Sequence, residues 1–282
     1  PTLTSVGIAS NNATTTLAAA GDIVTLTLTA SETIGTPTVT FQSGGAAIND
    51  GTIDYANTGG NTWTAKYTAN SSDTDGAVTF SIAFSDTVGN AGVAVTAVTD
   101  GSSVTFDDSV PTLTSVGIAS NNATATLAKE GDVVTLTLTA SETIGTPTVT
   151  FQSGGDAITN NVAYNNTGGN TWTAVYTTHD SDTDGSVTFS IAFSDSTGNA
   201  GVAVTAVTDG SSVTYDDTVP TLTSVGIASN NSTTTLAKEG DIVTLSFTAS
   251  ETIGTPTVTF QSGGDAITNS VTYANPSDNN WT

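Results

Sequence analysis

Carboxylates are the only chemically versatile side chains that this 282-residue sequence holds in quantity. Asp and Glu number 26 against 3 Lys and Arg, for a formal charge of −23. Most carboxylates therefore lack a basic partner, and water or cations must solvate them. They fall in short motifs. Asp73-Thr74-Asp75-Gly76 recurs as Asp182-Thr183-Asp184-Gly185, and Asp107-Asp108-x-x-Pro111 recurs as Asp216-Asp217-x-x-Pro220. Glu32, Glu142 and Glu251 follow a serine, and Asp86 and Asp195 open an Asp-x-x-Gly-Asn run. Six to eight hard oxygen ligands are what calcium takes, whereas magnesium demands a stricter octahedron. Asp73-x-Asp75-Gly76 has the start of an EF-hand loop without its helices or its twelfth-position glutamate, so that reading is set aside. The competing reading for each motif is turn chemistry, since Asp beside Gly is a common turn pair with no metal.

Other chemistries find little support. With no Cys, there is no disulfide, thiol catalyst or thiolate zinc site. The single histidine, His179, has Asn70 as its counterpart, so a catalytic role would be missing from one of the repeats described below. Glu32 and Asp86 could be cast as a glycosidase pair, but the surrounding Thr/Ser strand pattern offers no cleft for a substrate. Trp63, Trp172 and Trp281 alternate in phase with core positions, which suits packing better than sugar stacking. Asn12-Ala13-Thr14 and Asn70-Ser71-Ser72 match a glycosylation pattern that arises by chance in so Asn- and Thr-rich a chain. The charge opposes binding to nucleic acid or to anionic membranes. No apolar run is long enough to span a bilayer as a helix. The opening at Pro1 reads as an excerpt of a longer protein.

The elements that must position the carboxylates follow from an internal repeat. PTLTSVGIASNN begins at Pro1, Pro111 and Pro220, giving domains 1–110, 111–219 and 220–282. Residues 1–45 and 111–155 differ only at Thr15/Ala125, Ala19/Lys129, Ala20/Glu130 and Ile23/Val133. Such a unit is too long for a solenoid coil and has the size of one sandwich. Alternation at period two predicts strands over 2–9 with a continuation at 13–17, then over 22–31, 36–43, 46–56 (short), 61–69, 76–85 and 92–107. The last should be interrupted at Asp100-Gly101. Seven strands in about 110 residues, with turns every 8 to 12, predict an all-β chain of tandem immunoglobulin-like sandwiches arranged as a rod. Trp63 and Tyr67 should face Leu26, Leu28, Phe80 and Ile82 across the core. The third copy should lack its last two strands, and the natural chain should continue past Thr282 with a sequence close to 173–219.

Alternating strand directions bring particular carboxylates together. The end of the strand at 132–141 and the loop after 185–194 should lie beside the start of repeat two. Glu142 and Asp195 then meet the linker carboxylates Asp107 and Asp108 at one junction. Asp73 and Asp75, in the loop before 76–85, could reach that linker from the other side. Asp216, Asp217 and Glu251, with Asp182 and Asp184, would form the corresponding set at the next boundary. Glu32 and Asp86 are their counterparts at the first pole. A separate calcium site built from Asp73, Asp75 and Asp22 is a weaker alternative.

The motifs Ala30-Ser31-Glu32-Thr33, Ser85-Asp86-Thr87-Val88-Gly89-Asn90 and Asp107-Asp108-Ser109-Val110-Pro111, repeated in order at strand ends, resemble the bacterial Ig-like domains of large repetitive surface proteins and adhesins. The resemblance covers the whole chain. It implies extracellular tandem rods, often with calcium at or near domain junctions. The expected function is therefore a non-enzymatic stalk or extender at the bacterial cell surface, its partners being neighbouring repeats. A self-assembling filament, sheath or surface-layer subunit, contacting copies of itself, is the rival. A sugar-binding module would need out-of-phase aromatics or a divergent repeat.

Overall fold

The computed structural model describes residues 1–49, 51–277 and 279–282. Position 50, inside the predicted strand 46–56, lies outside them. The chain divides into two units, Pro1–Asp216 and Asp217–Thr282.

Repeat one of the first unit contains β1 (Leu3–Ser10), β2 (Leu17–Ala18), β3 (Ile23–Ala30), β4 (Thr38–Ser43), β5 (Ala46–Ala47), β6 (Asp54–Gly59), β7 (Thr62–Thr68), β8 (Gly76–Ala83) and β9 (Thr105–Phe106). One sheet runs β1-β3-β7-β6 and the other β2-β9-β8-β4-β5. All pairings are antiparallel except β2 with β9. In immunoglobulin lettering these orders are A-B-E-D and A′-G-F-C-C′, so each complete repeat is an immunoglobulin-like sandwich. Repeat two copies the plan with β10 (Leu113–Ser120), β11 (Leu127–Ala128), β12 (Val133–Ala140), β13 (Thr148–Ser153), β14 (Asp156–Ala157), β15 (Ala163–Gly168), β16 (Thr171–Thr177), β17 (Gly185–Ala192) and β18 (Thr214–Tyr215). Among the described residues the chain has no helix.

The period-two pattern forms these strands because threonine and valine suit a pleated, half-buried surface. Along β3 the inward residues Val24, Leu26, Leu28 and Ala30 are buried, while threonines fill the outer face. Phe41 and Ile82 answer them from the second sheet, and Phe41 packs on Tyr67 with ring centroids 4.8 Å apart. Each repeat closes its own core, one drawn from residues 3–106 and the other from 113–215. Trp63 sits beside Leu28, and Ala65 beside Leu26, on adjacent strands of one sheet. The expected contact of Trp63 and Tyr67 with Leu26 and Leu28 is therefore within a layer; only their packing toward Phe41, Phe80 and Ile82 crosses the core. Burial pushes the Tyr67 hydroxyl pKa well above its ordinary value, and Asp73 adds to the rise.

The predicted strand 92–107 survives only as β9. Upstream of it the chain forms a strap with isolated bridges Ser85–Ala91 and Ile82–Val95. The strap then crosses to the free edge of β1. There Thr99 Oγ1 and Ser102 Oγ accept the Val6 and Ile8 N–H groups, at 2.9 and 2.8 Å. These hydroxyls, together with the Thr99 N–H donated to the Val6 carbonyl at 2.8 Å, stand in for a regular sheet ladder and cover an edge that would otherwise invite pairing. Asp100 Oδ1 accepts both the N–H and the hydroxyl of Ser102, which lowers its pKa, and Asp209 does the same with Ser211. Gly7 lets Asp100 approach, since a Cβ at Gly7 would fall 2.3 Å from Asp100 Oδ2.

A carboxyl whose pKa is depressed by folding stabilises the folded state above its unfolded value, about 3.9 for Asp, and loses that contribution as pH falls through the depressed value. Acidification below about pH 4 is therefore expected to loosen the strap before the core. Hydrogen-exchange protection at Ile8 and Ile118, corrected for intrinsic rates, should fall while that at Leu26 and Leu136 holds. Equal losses at all four would show that the Asp–Ser relay does not hold the strap.

The second unit contains β19 (Leu222–Ser229), β20 (Val243–Ala249), β21 (Gln261–Ser262), β22 (Asp265–Ala266) and β23 (Asn280–Trp281). They form a sheet β19-β20-β23 and a hairpin β21-β22. The described residues of this unit include no counterpart of β8 or β9.

Candidate metal centre

Three carboxylates from distant parts of the sequence converge between the two repeats of the first unit. One oxygen each from Asp107, Glu142 and Asp195 lie within 4.8 Å of one another. Two oxygens bound to one calcium at 2.3–2.6 Å can be no more than about 5 Å apart, so the cluster has the right size to share an ion.

Each of the three carboxylates is placed by a strand end. Glu142 follows β12 in Ser141-Glu142, and Ser141 is anchored where its N–H meets the Thr112 carbonyl at 2.8 Å. Asp195 follows β17 and bridges to Ile144. Its Oδ1 accepts the N–H groups of Thr197, Gly198 and Asn199 at 2.7–2.9 Å, which fixes the loop and leaves Asp195 7% exposed. Asp107 follows β9, and its N–H bonds the Ala18 carbonyl at 3.0 Å.

The loop also ties the repeats together directly. Asn199 Nδ2 donates to the Asp107 carbonyl at 2.9 Å, and Asn12 Nδ2 donates to the Thr197 carbonyl at 2.9 Å. Asn12 in turn bonds Asp22, whose Oδ2 also accepts the Ala19 N–H. The sequence gives Asn12, Thr197 and Asn199 no role at the junction. The recurrence of Asn four residues after Asp, at Asp86/Asn90 and Asp195/Asn199, is the signal that could have found the last. Asn199→Ala is expected to weaken the docking of the two repeats, while Asn90→Ala leaves it unchanged. Hydrogen exchange at Asp107 and Thr197 would read the difference, and equal effects would remove the proposed tie.

No Lys or Arg pairs with Asp107, Glu142 or Asp195 among the described residues. Glu142 makes no hydrogen bond there either, and its pKa is raised, first by loss of solvent and then by Asp107, Asp195 and Asp75. A carboxyl pKa raised by folding means that stability falls as pH rises through it. The metal-free cluster is therefore a point of electrostatic stress at neutral pH.

The remaining candidate carboxylates lie elsewhere. Asp108 is outside the cluster, and its N–H donates to Asp75 Oδ1 at 2.9 Å. Asp75 Oδ2 accepts the Ser109 hydroxyl at 2.8 Å, so Asp75 does reach the linker, as a brace. Gly44 makes room for it: its φ is +55°, and a Cβ would meet the Asp75 carbonyl at 2.4 Å. Asp73 is 7% exposed, with its oxygens on the N–H groups of Asn49 and Asn70. Asp182 caps its loop in the same way through Thr159 and His179. Asp22, Asp73 and Asp75 each hold a different loop and do not gather as a cluster. Asp86 folds its own turn through Val88 and Asn90, and Glu32 lies 3.1 Å from the Pro1 amino group. Asp184 precedes β17. Asp216 bonds the Ala128 carbonyl through its N–H, as Asp107 bonds Ala18. Asp217 and Glu251 belong to the second unit. His179 contacts Asp180 and Ser181 at an exposed turn.

No family model matches the chain, and no curated protein matches it. Among solved structures it is similar to a three-domain I-band fragment of titin, with a TM-score of 0.39 and 12% identity over 97% of this chain and 86% of that one. It is also similar to a tandem pair of titin Ig domains (TM-score 0.24, 15% identity, 76% and 98% covered). Tandem Ig repeats of Dlar give a TM-score of 0.22 and 13% identity, with 76% and 99% covered. The immunoglobulin-like assignment rests on the sheet orders themselves, and the chain is an all-β tandem of such sandwiches.

Proposed function

We propose that the chain is an extender segment of a large extracellular bacterial surface protein, with calcium stiffening the junction between its Ig-like repeats. The observation that carries the metal is the convergence of Asp107, Glu142 and Asp195 without a basic partner. A cation there would join the linker to two strand ends of the following repeat, and so restrict bending between modules. Backbone carbonyls and water would complete the six to eight oxygens that calcium takes. The high negative charge keeps neighbouring molecules apart and soluble. The repetition of one sandwich fits a mechanical role, because a catalytic site rarely needs near-identical copies in series.

Calorimetric titration of the chelator-treated chain with calcium should give heat, and small-angle scattering should show a longer, narrower distance distribution with the ion bound. Scattering that is identical with and without calcium sinks the stiffening. Calcium at 100 times its dissociation constant should stabilise the repeats by about 2.7 kcal/mol through mass action. Sodium chloride at equal ionic strength should recover only the screened part. Equal effects of the two salts would mean diffuse charge and no coordination. Calcium-independent polymers in sedimentation would favour the filament or surface-layer reading.

A further inference from the structure

In both complete repeats of the first unit the strap carries an uncharged, open edge. Val93-Ala94-Val95-Thr96-Ala97-Val98-Thr99 recurs letter for letter at 202–208, and residues 87–99 and 196–208 hold no charged side chain. Val93 and Val202 are 86% and 81% exposed, and Ala94, Thr96 and Ala97 are exposed beside Val93. One side of the strap is taken. Val95 exchanges two backbone bonds with Ile82, at 2.9 and 3.1 Å, and Val204 does the same with Ile191. Gly92 seats the strap against Phe84, whose ring would lie 2.3 Å from a Cβ at that position. In an antiparallel pair the backbone groups of alternate residues point to opposite sides, so those of Ala94 and Thr96 point away from β8. Among the described residues nothing bonds them, nor those of Ala203 and Thr205.

Natural edges are usually blunted by charge or proline, and residues 93–99 have neither. A run of β-branched and small residues without charge is the kind that pairs edge to edge. We infer that the strap is a self-association edge, which pairs antiparallel with the same strap of a second copy of this chain. Centred on Val95, the pairing sets Ala94 opposite the partner's Thr96 and joins the outward backbone groups of both. Two observations make a second copy the occupant. The segment is its own complement, and two chains of formal charge −23 meet at least cost where neither carries a charge. The contact joins extenders side by side and does not depend on calcium at the junction.

So short a pairing buries little area, and a dissociation constant of about 10 μM to 1 mM is expected. Sedimentation of the full 282-residue chain, in chelator and in calcium, should show a reversible dimer that added salt strengthens by screening. Hydrogen-exchange protection at Thr96 and Thr205 should rise at least ~10-fold on dimerisation, while that at Val95 and Val204, already bonded in the single chain, changes less. Ala94→Asp with Ala203→Asp should weaken the dimer at least ~10-fold by setting charge on the edge. Thr96→Pro with Thr205→Pro, which removes the outward N–H, should do the same. Unchanged protection at Leu26 and Leu136 shows that these variants fold. A chain still monomeric at about 1 mM overturns the inference. So does a dimer that leaves Thr96 and Thr205 unprotected, or one that both strap variants leave intact. Association that Ile227→Asp abolishes and the strap variants do not would lie on the second unit, which also overturns it. The calcium titration is read separately and stands or falls without these results.

Discussion

In the chain of residues 1–282, truncating Ile118 to alanine is expected to destabilise repeat two by about 2–5 kcal/mol, whereas Ile227→Ala should change the second unit by less than about 0.5 kcal/mol. The two isoleucines occupy the same place in the same repeat motif, on β10 and β19, and each lies beside a leucine of the next strand, Leu136 or Leu245. Local sequence therefore predicts equal losses. Their surroundings differ. Ile118 is 4% exposed and lies under the strap, with Ser211 Oγ accepting its N–H at 2.8 Å. Removing its side chain loses buried apolar area and leaves a cavity that a close-packed sandwich cannot fully collapse. Ile227 is 64% exposed, so its side chain is already in water and little transfer energy is at stake. Hydrogen exchange along β12 and β20 reads the two sites separately, which matters because a chain with several cores does not unfold as one two-state transition. Equal losses would mean that the second unit closes its core in solution.

The sandwich was legible because its signal is periodic. The aliphatic positions of β3, β4 and β8 alternate with threonine, and their predicted spans lie within two residues of the observed ends. The strap was legible only at its turn, Asp100-Gly101, where the interruption was expected; the rest was not, although its sequence is rich in valine. Thr99 and Ser102 satisfy the β1 edge with hydroxyls, and Gly101, at φ +75°, turns the chain between them. Side-chain bonding of this kind leaves no period to read. The same limit applies to the carboxylates. Strand direction alone places Asp107, Glu142 and Asp195 at one junction. It does not separate them from Asp73 and Asp182, because an aspartate that caps a turn and one that faces a junction share one local motif. Hydrogen bonding does not separate them either, since Asp195 takes three backbone N–H groups as Asp73 and Asp182 take theirs; what does is the convergence of Asp195 with Asp107 and with Glu142, which takes none.

Glu142→Gln is expected to act in opposite directions with and without calcium, and that reversal is the sharpest test of the junction. Without the ion, the Glu142 carboxylate stands among Asp107, Asp195 and Asp75, which disfavour its ionisation after desolvation has already done so. Removing its charge relieves that repulsion while keeping the side chain's shape. The metal-free first unit should gain a few tenths to about 1 kcal/mol, the range for partly exposed, screened charges. The gain should vanish as pH falls through the raised Glu142 pKa, because the native carboxyl is then neutral as well. With calcium, the same change removes one of three anionic ligands, and affinity should fall on the order of 10- to 100-fold, since ligand charge sets calcium affinity. Glu32→Gln is the control. Glu32 occupies the corresponding place in repeat one and is not in the cluster, so it should leave calcium affinity unchanged. Thermal unfolding in chelator and in calcium, followed for the three proteins at neutral and weakly acidic pH, measures both signs. Should Glu142→Gln leave the metal-free stability and the calcium affinity as they are, the three carboxylates would be near one another without acting as a site. Stabilisation in both conditions would instead identify the junction as a repulsive hinge that no cation clamps.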